Sequence, residues 1–294
     1  MPSPGGRLSK HFLNVPAVYK FGTRWINSIP KPLAYAVSQT IAYISYISYK
    51  SAVNNIKQNF IKAFPKLSEK ELSRLTIRLF RNYSKYLVDY GRFTNLSSND
   101  VIEKIIYYDG KENLDAALAM NKGIILLTAH LGNWELGGIF FGSQGIKTNV
   151  ITVQDKDPRI DDSRRRYRER HNVNTITVGN SPFSTVEMIK ALNNQEVVAM
   201  LIDRYYAGMD CLTTNFFSKP TAFPRGPFIL SRLTGAPIIV AFVVKEHDEY
   251  KGIIERPLIV VNEKDEIEIL NNVAKILEQY IILYPDQWYN FVQI

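Results

Sequence analysis

The chain has one cysteine, Cys211, and four histidines in 294 residues. A single thiol excludes an internal disulfide. The histidines are scattered without paired-ligand spacing, so no metal site is expected. No G-x-x-x-x-G-K-[ST] loop and no G-x-G-x-x-G fingerprint occurs, which removes the nucleotide-binding classes those glycines mark. No Gly-x-Ser-x-Gly elbow exists either: GNSPF at Gly179 fails at its last position, and Cys211 has no acid or base beside it except Asp210. The N-terminus, MPSPGGRLSKHFLNVP, lacks the continuous apolar core of a secretory signal. Long hydrophobic runs are missing too. Leu33 to Tyr49 is uncharged, but it contains Ser38, Gln39, Thr40, Ser45 and Ser48 and falls short of the roughly 20 apolar residues of a spanning helix. It reads as an interfacial or helix-packing segment, or as an ordinary core helix. No internal repeat or low-complexity tract appears.

Hydrophobic residues make up 46% of the chain and charged residues 22%, enough apolar matter for a large core. The net charge of +8 points to an anionic partner: nucleic acid, a membrane surface or a phosphorylated substrate. The 17 Tyr and 15 Phe favour a membrane lipid surface, where amphipathic rings settle. No nucleic-acid partner is expected, because the basic residues show no recognisable module with interleaved aromatics.

Residues 1–30 read as irregular, broken by Pro2, Pro4, Pro16 and Pro30. From Lys31 to about Thr94 the pattern is helical, with Ile56, Phe60, Ile61 and Phe64 at helical spacing. Ser68 and Glu71 form a capping box ahead of the stripe Leu72, Leu75, Leu79 and Phe80. Residues 1–105 are therefore expected to form a helical, membrane-associating part, and 106–294 an α/β core, the two continuous with each other. Beyond residue 105, short apolar runs alternate with helical patterns. Strands are expected at Ile124–Thr128, Asn149–Val153, Thr175–Val178, Val197–Ile202, Pro237–Val244 and Ile253–Val261. Helices are expected at Asn133–Phe141, Arg159–His171, Ser184–Asn193, Pro227–Leu233 and Asp265–Tyr284. That alternation predicts the α/β class: a mostly parallel central sheet flanked by helices, with an N-terminal helical extension.

The chain is organised around Gly123 to Gly138, GIILLTAHLGNWELGG. A buried strand runs into a polar turn and then a helix start, which is where open α/β sheets place their chemistry. His130 lies in that turn and Glu135 five residues on. Within one helix those side chains would stand roughly 140° apart. They can meet only if His130 precedes the helix and Glu135 sits in its first turns, an arrangement that Gly132 and Asn133 permit. Glu135 would be stabilised as an anion near the helix N-terminus and could fix the imidazole tautomer, leaving the other nitrogen to take a proton from an alcohol. The plain alternative is a buried histidine packed beside Trp134.

Several stretches together resemble the lysophospholipid acyltransferase superfamily, in its branch of lipid A lauroyl/myristoyl and phosphatidylinositol mannoside acyltransferases. AHLGNWE is similar to the His-x4-Asp/Glu motif, and NNIKQNFIKAFPKLSEKELSRLTIRLFRNYSKYL to the segment before the core. AMLIDRYYAG is similar to the Asp-bearing strand end, NFFSKPTAFPRGPFILSRLTGAPIIVAFV to the run ending in Thr-Gly-Ala-Pro, and PDQWYNF to the closing segment. The resemblance covers about Asn55 to Tyr289 and implies a glycerol-3-phosphate acyltransferase-like fold. It implies acyl transfer from a thioester, on acyl-carrier protein or coenzyme A, to a hydroxyl of a membrane lipid or glycolipid. No bound cofactor is expected.

In that reading His130 is the general base, Glu135 its orienter, and Asn133 shapes the turn. Arg168, among Arg164, Arg165, Arg166 and Arg170, would bind an acceptor or pantetheine phosphate; a solvated basic face is the alternative. Asp203 and Arg204, at the end of the run Val197 to Ile202, would line the site from the same sheet edge. Arg204 stands where the family usually has Gln or His. Arg225, with Phe223, Pro224 and Gly226 before a helix, would help bind substrate through backbone N–H groups. After PDQWYN the chain reads FVQI rather than an aromatic-His-Arg-Arg tail, so lipid A itself is not assumed as acceptor. The expected location is the cytoplasmic face of the inner membrane, peripheral or monotopic. A thioesterase or lipid hydrolase with the same dyad, and a non-catalytic membrane-binding module, are the alternatives. Acyl-chain length, donor carrier and oligomeric state are not encoded legibly.

Overall fold

The computed structural model describes residues 26–93, 96–97, 99–100, 103, 105–153, 158–179, 183–206 and 208–294. The expected irregular stretch 1–30 therefore lies largely outside the described residues. At the centre is β2 (Ile124–Thr128), an apolar run buried on both faces, as a strand covered by helices on either side must be. It pairs in parallel with β5 (Val197–Leu201) and β8 (Ile238–Glu246); Ile125 stands between Val198 and Ile238. With β1 (Ile105–Asp109), β3 (Thr148–Val153), β4 (Val173–Val178) and β9 (Glu249–Ile254), the sheet has seven strands in the order β1-β9-β8-β2-β5-β3-β4. Among the described residues of this sheet only β8 and β9 pair antiparallel, so the mostly parallel sheet expected from the alternation is what forms.

Strand β1 and the helix Lys111–Leu118 that follows it lie outside the expected elements, and two further stretches depart from expectation. The predicted strand Ile253–Val261 starts earlier and ends at Ile254, before Pro257; beyond it only Leu258 bridges back, to Ile238. Strands β6 (Cys211–Phe216) and β7 (Lys219–Pro224) form a separate antiparallel hairpin that the apolar pattern did not announce. Their alternate residues face solvent, and Pro220 and Pro224 suit an exposed ribbon without further partners.

Helix α4 (Lys111–Leu118) follows β1, and α5 (Trp134–Ser143) follows β2. Then come α6 (Pro158–Glu169), α7 (Phe183–Asn193), α8 (Gly226–Thr234) and α9 (Asp265–Leu283). Successive strand residues feed opposite cores, as the pleat requires. Ile124, Leu126, Val197, Ala199, Ile239 and Ala241 pack with Leu136, Ile139 and Phe140 of α5. Ile125, Leu127, Val198, Ile238, Val240 and Phe242 join the larger core with α8 and α9.

Among the described residues, the helices α1 (Lys31–Ser48), α2 (Lys50–Ala63) and α3 (Glu69–Phe93) precede the sheet. The capping box at the start of α3 forms as read, with Ser68 N donating to Glu71 Oε2 at 2.8 Å and Glu71 N to Ser68 Oγ at 3.4 Å. Leu79, Phe80 and Tyr86 of α3 share the larger core with β2, so the helical part and the sheet pack as one body. A buried polar knot reinforces the junction. Lys245 Nζ of β8 donates to Asp89 Oδ2 of α3 (2.8 Å) and to the Tyr35 hydroxyl of α1 (2.7 Å), while the Tyr250 hydroxyl of β9 also donates to Asp89 Oδ2 (2.7 Å). Helix α1 is only partly buried. Ala34 and Ala42 let it approach α3 closely, and its large apolar residues Leu33, Ile41, Ile44 and Ile47 point outward, 46–58% exposed. None of the described helices is long and apolar enough to cross a bilayer.

Candidate active site

After Thr128 the chain leaves β2 through Ala129, His130, Leu131 and Gly132 and enters α5. The turn is fixed from below. Gly132 has φ +66°, and a Cβ there would lie 2.0 Å from the Val243 carbonyl oxygen, so only glycine fits. Asn133 donates its backbone N–H to that same oxygen at 2.6 Å, and its Oδ1 accepts from Leu136 N at 3.1 Å as the N-cap of α5. Asn133 therefore shapes the turn and is buried beneath it.

His130 stands at the carboxyl edge of the sheet, and its partner is Asp203. Thr128 of β2 pairs with Leu201 of β5, which brings the residues after both strands side by side. His130 Nδ1 and Asp203 Oδ1 are 2.7 Å apart, and His130 N donates to Asp203 Oδ2 at 3.1 Å. The His130 side chain keeps 14% of its surface exposed, while the Asp203 carboxylate is fully buried. Burial pushes the imidazole below its ordinary value and the neighbouring Arg204 cation adds to this; Asp203 pulls the other way. For Asp203, burial raises the carboxyl, but His130, Arg204 and the Trp288 indole outweigh it and bring it to about 2.

Glu135 does not orient His130. It occupies the first turn of α5, as expected, but its carboxylate meets Arg168 of α6: Nη2 to Oε1 at 2.5 Å and Nε to Oε2 at 3.1 Å. This bidentate pair is nearly buried on both sides, and Arg168 reaches on to Thr175 Oγ1 of β4 at 3.3 Å. Arg168 was read as a phosphate ligand; its fork is instead taken up by Glu135. Arg225 also departs from its assigned role, because its backbone N–H donates to the Asp210 carbonyl at 2.9 Å. It ties the start of α8 to α9, with Nε 2.5 Å from Glu266 Oε2 and Nη2 2.6 Å from Glu263 Oε1, so these donors serve an ion-pair cluster. Arg204 stays beside the dyad, held by Asn290 Oδ1 (2.9 Å) and the Tyr289 carbonyl (3.0 Å).

The closing segment PDQWYNF, to which the resemblance assigns no task, clamps both halves of the pair. Trp288 Nε1 donates to Asp203 Oδ2 at 3.1 Å, and Asn290 Nδ2 donates to the Asp203 carbonyl at 3.1 Å. Tyr289 N donates to the His130 carbonyl at 2.6 Å, and Gly132 N to that of Gln287 at 3.0 Å. No local pattern reveals this, because the partners lie 85 or more positions apart from Asp203. Rings wall the site. Trp134 meets His130 edge-on at 5.2 Å and stacks on Tyr86 at 4.9 Å, with Tyr83 and Tyr289 packed alongside.

Beside Trp134 and Glu135, an apolar cavity runs between α5 and the sheet. Small residues create it: Gly137 and Gly138 on α5 face Ala199, Ala241 and Gly252 on the strands. Glycine inside a helix costs roughly 0.5–1 kcal/mol relative to alanine, so the two are a local expense that opens space.

The profile of the bacterial lipid A biosynthesis acyltransferase family matches residues 10–293. The lipid A biosynthesis lauroyltransferase of Escherichia coli is 25% identical over 272 residues, spanning 91% of this chain and 87% of that protein. A phosphatidylinositol mannoside acyltransferase of Mycobacterium tuberculosis is 23% identical over 212 residues, 71% of this chain and 66% of that one. Among solved structures, the 1-acyl-sn-glycerophosphate acyltransferase of Thermotoga maritima aligns with a TM-score of 0.39 and 12% identity, covering 86% of this chain and 98% of that chain. Matched along nearly its whole length, the chain belongs to the bacterial lipid A biosynthesis acyltransferase family.

Proposed function

We propose that this acyltransferase moves a fatty acyl group from a thioester, on acyl-carrier protein or coenzyme A, to a hydroxyl of a membrane lipid or glycolipid, with His130 as general base and Asp203 as its orienter. One observation carries the reading: Nδ1 of His130 is held by Asp203 at 2.7 Å, which leaves Nε2 as the nitrogen available to a substrate. Nε2 takes the proton of the acceptor hydroxyl as its oxygen attacks the thioester carbonyl. The C–O bond forms, the C–S bond breaks, and the leaving thiolate takes the proton back from the imidazolium. Asp203 stabilises the imidazolium without itself accepting the proton. No acyl-enzyme is required.

The cavity between α5 and the sheet is the slot for the acyl chain, since its walls are mostly apolar and Thr128 and Trp134, on either side of the His130 turn, are among its lining. The outward apolar face of α1 meets the membrane, which puts the acceptor within reach at the cytoplasmic leaflet.

The test is transfer of a labelled acyl group from acyl-carrier protein or coenzyme A to extracted membrane lipid. The expected result is an acylated lipid whose formation stops in His130→Ala. Full transfer by a folded His130→Ala protein would overturn the assignment. Free fatty acid as the main product would make water the acceptor and the protein a thioesterase. Mass spectrometry of lipids from a strain lacking the protein would identify the acceptor.

A further inference from the structure

Arg204 follows Asp203 directly, and among the described residues its guanidinium forms no ion pair, although the Asp203 carboxylate acts on it through space. Its Nε and Nη2 donate to two neutral acceptors, Asn290 Oδ1 and the Tyr289 carbonyl, and no bond from Nη1 to a described residue is present. Asp203 does not serve as its partner, because Oδ1 is taken by His130 and Oδ2 by Trp288 and the His130 N–H. The contrast with the other two site candidates is plain: Arg168 has Glu135, and Arg225 has Glu263 and Glu266. Arginine is rarely placed at depth without a carboxylate or phosphate, because desolvating a cation is costly. Burial lowers Arg204 from its ordinary value in spite of Asp203.

The position also works against the base. Arg204 disfavours the imidazolium that His130 must become. A cation that forms no ion pair at rest and opposes the adjacent base is stabilised further when a second negative charge arrives beside it. Its influence extends to the aromatic wall, where Arg204 and Arg164 both act on Tyr83 against the effect of burial.

We infer that Arg204 seats an anionic group of the acceptor, a phosphate or a carboxylate, close to the hydroxyl that is acylated. The inference rests on the acyl-transfer reading of His130 and Asp203. The donor does not supply this anion. The phosphate of a phosphopantetheine lies a whole pantetheine arm away from its thioester, whereas Arg204 is the next residue after Asp203. Arginine presents a planar fork suited to phosphate or carboxylate, and with Nε and Nη2 anchored to the C-terminal segment the fork is already oriented.

The test separates binding from turnover. Intrinsic tryptophan fluorescence of the full-length protein is titrated with monododecyl phosphate and, as the uncharged control, dodecyl glucoside. The wild type is expected to bind the phosphate at least tenfold more tightly. Arg204→Gln should lose that preference and Arg204→Lys should keep part of it. Dodecanoate in place of the phosphate distinguishes a carboxylate seat from a phosphate seat. In turnover, Arg204→Gln should raise KM for an anionic lipid acceptor about tenfold, with the loss falling on KM rather than kcat, and should move the acid limb of the pH profile upward as the imidazole is relieved of the cation.

Equal binding of both amphiphiles by the wild type, or an unchanged preference in Arg204→Gln, would overturn the seat. So would a kcat loss shared by charged and neutral acceptors, which would put Arg204 on the oxyanion of the intermediate. If Arg204→Gln does not fold, the wild-type preference and Arg204→Lys decide alone. A phosphate preference in a protein with no acyl transfer to any acceptor would sink the acyltransferase reading and leave the seat standing.

Discussion

His130 and Asp203 are separated by 73 positions and meet at 2.7 Å, while Glu135, five residues from His130, turns away to Arg168. The two carboxylates therefore have different work, and substitution should tell them apart. Asp203→Asn keeps the shape but removes the charge that holds Nδ1–H, and a lost orienting carboxylate lowers kcat by roughly 10³–10⁴-fold in the best-studied Asp–His pairs. Glu135→Gln leaves His130 in place and strands Arg168 in a buried setting, which costs about 3–5 kcal/mol of stability. Steady-state kinetics with circular dichroism melting on both variants is the check. The expected pattern is a large kcat loss for Asp203→Asn, and for Glu135→Gln a lower Tm with activity that returns at reduced temperature. Equal kcat losses in two proteins that melt alike would reassign the orienter.

Only part of that pair is legible in the sequence. The strand Ile124–Thr128, the turn and the helix after it could be read from local pattern, because a doubly buried parallel strand is an unbroken apolar run and Asn133 is a good N-cap. Asp203 could be placed at the same sheet edge once the sheet was taken as parallel. Its contact with His130 could not, because which strands are neighbours is a property of strand order, and β2 touches β5 rather than the intervening β3 and β4. The sequence-adjacent acid was chosen instead. Trp288 and Asn290 were hidden for the same reason. The hairpin β6–β7 was missed because its alternation is weak and two prolines interrupt it.

The pH profile follows from the two shifts in the dyad. His130 acts only when neutral, and burial with Arg204 lowers its pKa, so the acid limb of kcat/KM should lie below the ordinary histidine value of about 6.5. In the same window the unfolded chain binds a proton that the native state resists, so stability falls as pH drops below that ordinary value. Asp203 acts lower down: held to about 2, it contributes stability that is complete above the unfolded carboxylate range and is lost as pH falls toward 2. A pH–rate profile together with urea midpoints measured across pH 2–8 would test both signs. An acid limb above the ordinary value would contradict the first.

Small residues, Gly137 and Gly138 on α5 and Ala199 and Ala241 on the sheet, line the α5–sheet cavity. Ala199→Leu adds three carbons from the sheet side, and Gly138→Leu adds a side chain from α5 toward Val150, whose methyl already lies 3.6 Å from where a Cβ would stand. Filling an existing space avoids much of the 1–3 kcal/mol that overpacking a tight core costs. Either variant should therefore fold and should prefer shorter acyl donors. The expected change is a drop of about tenfold or more in kcat/KM for the longest accepted chain, with shorter chains retained, read from competition between donors of mixed length. A uniform loss across all lengths would mean that the cavity is not the chain slot.

Helix α1 is arranged inside out for a water-soluble surface, with Ala34 and Ala42 inward and Leu33, Ile41, Ile44 and Ile47 outward. Apolar area taken from water is worth about 25 cal/mol per Å², so four large aliphatic side chains entering an interface supply a useful anchor, and the +8 charge of the whole chain adds attraction to anionic lipid. Replacing Ile41 and Ile44 by Glu puts two charges on the face that would meet the bilayer. Because these side chains make few contacts with the fold, stability should change by only about 0.5 kcal/mol per site. Flotation with anionic vesicles should then show at least a tenfold loss of binding, and raised salt should weaken the wild type further. Turnover on an acceptor dispersed in detergent should survive while turnover on vesicles falls. If the double variant floats as well as the wild type, this face is not the one that meets lipid.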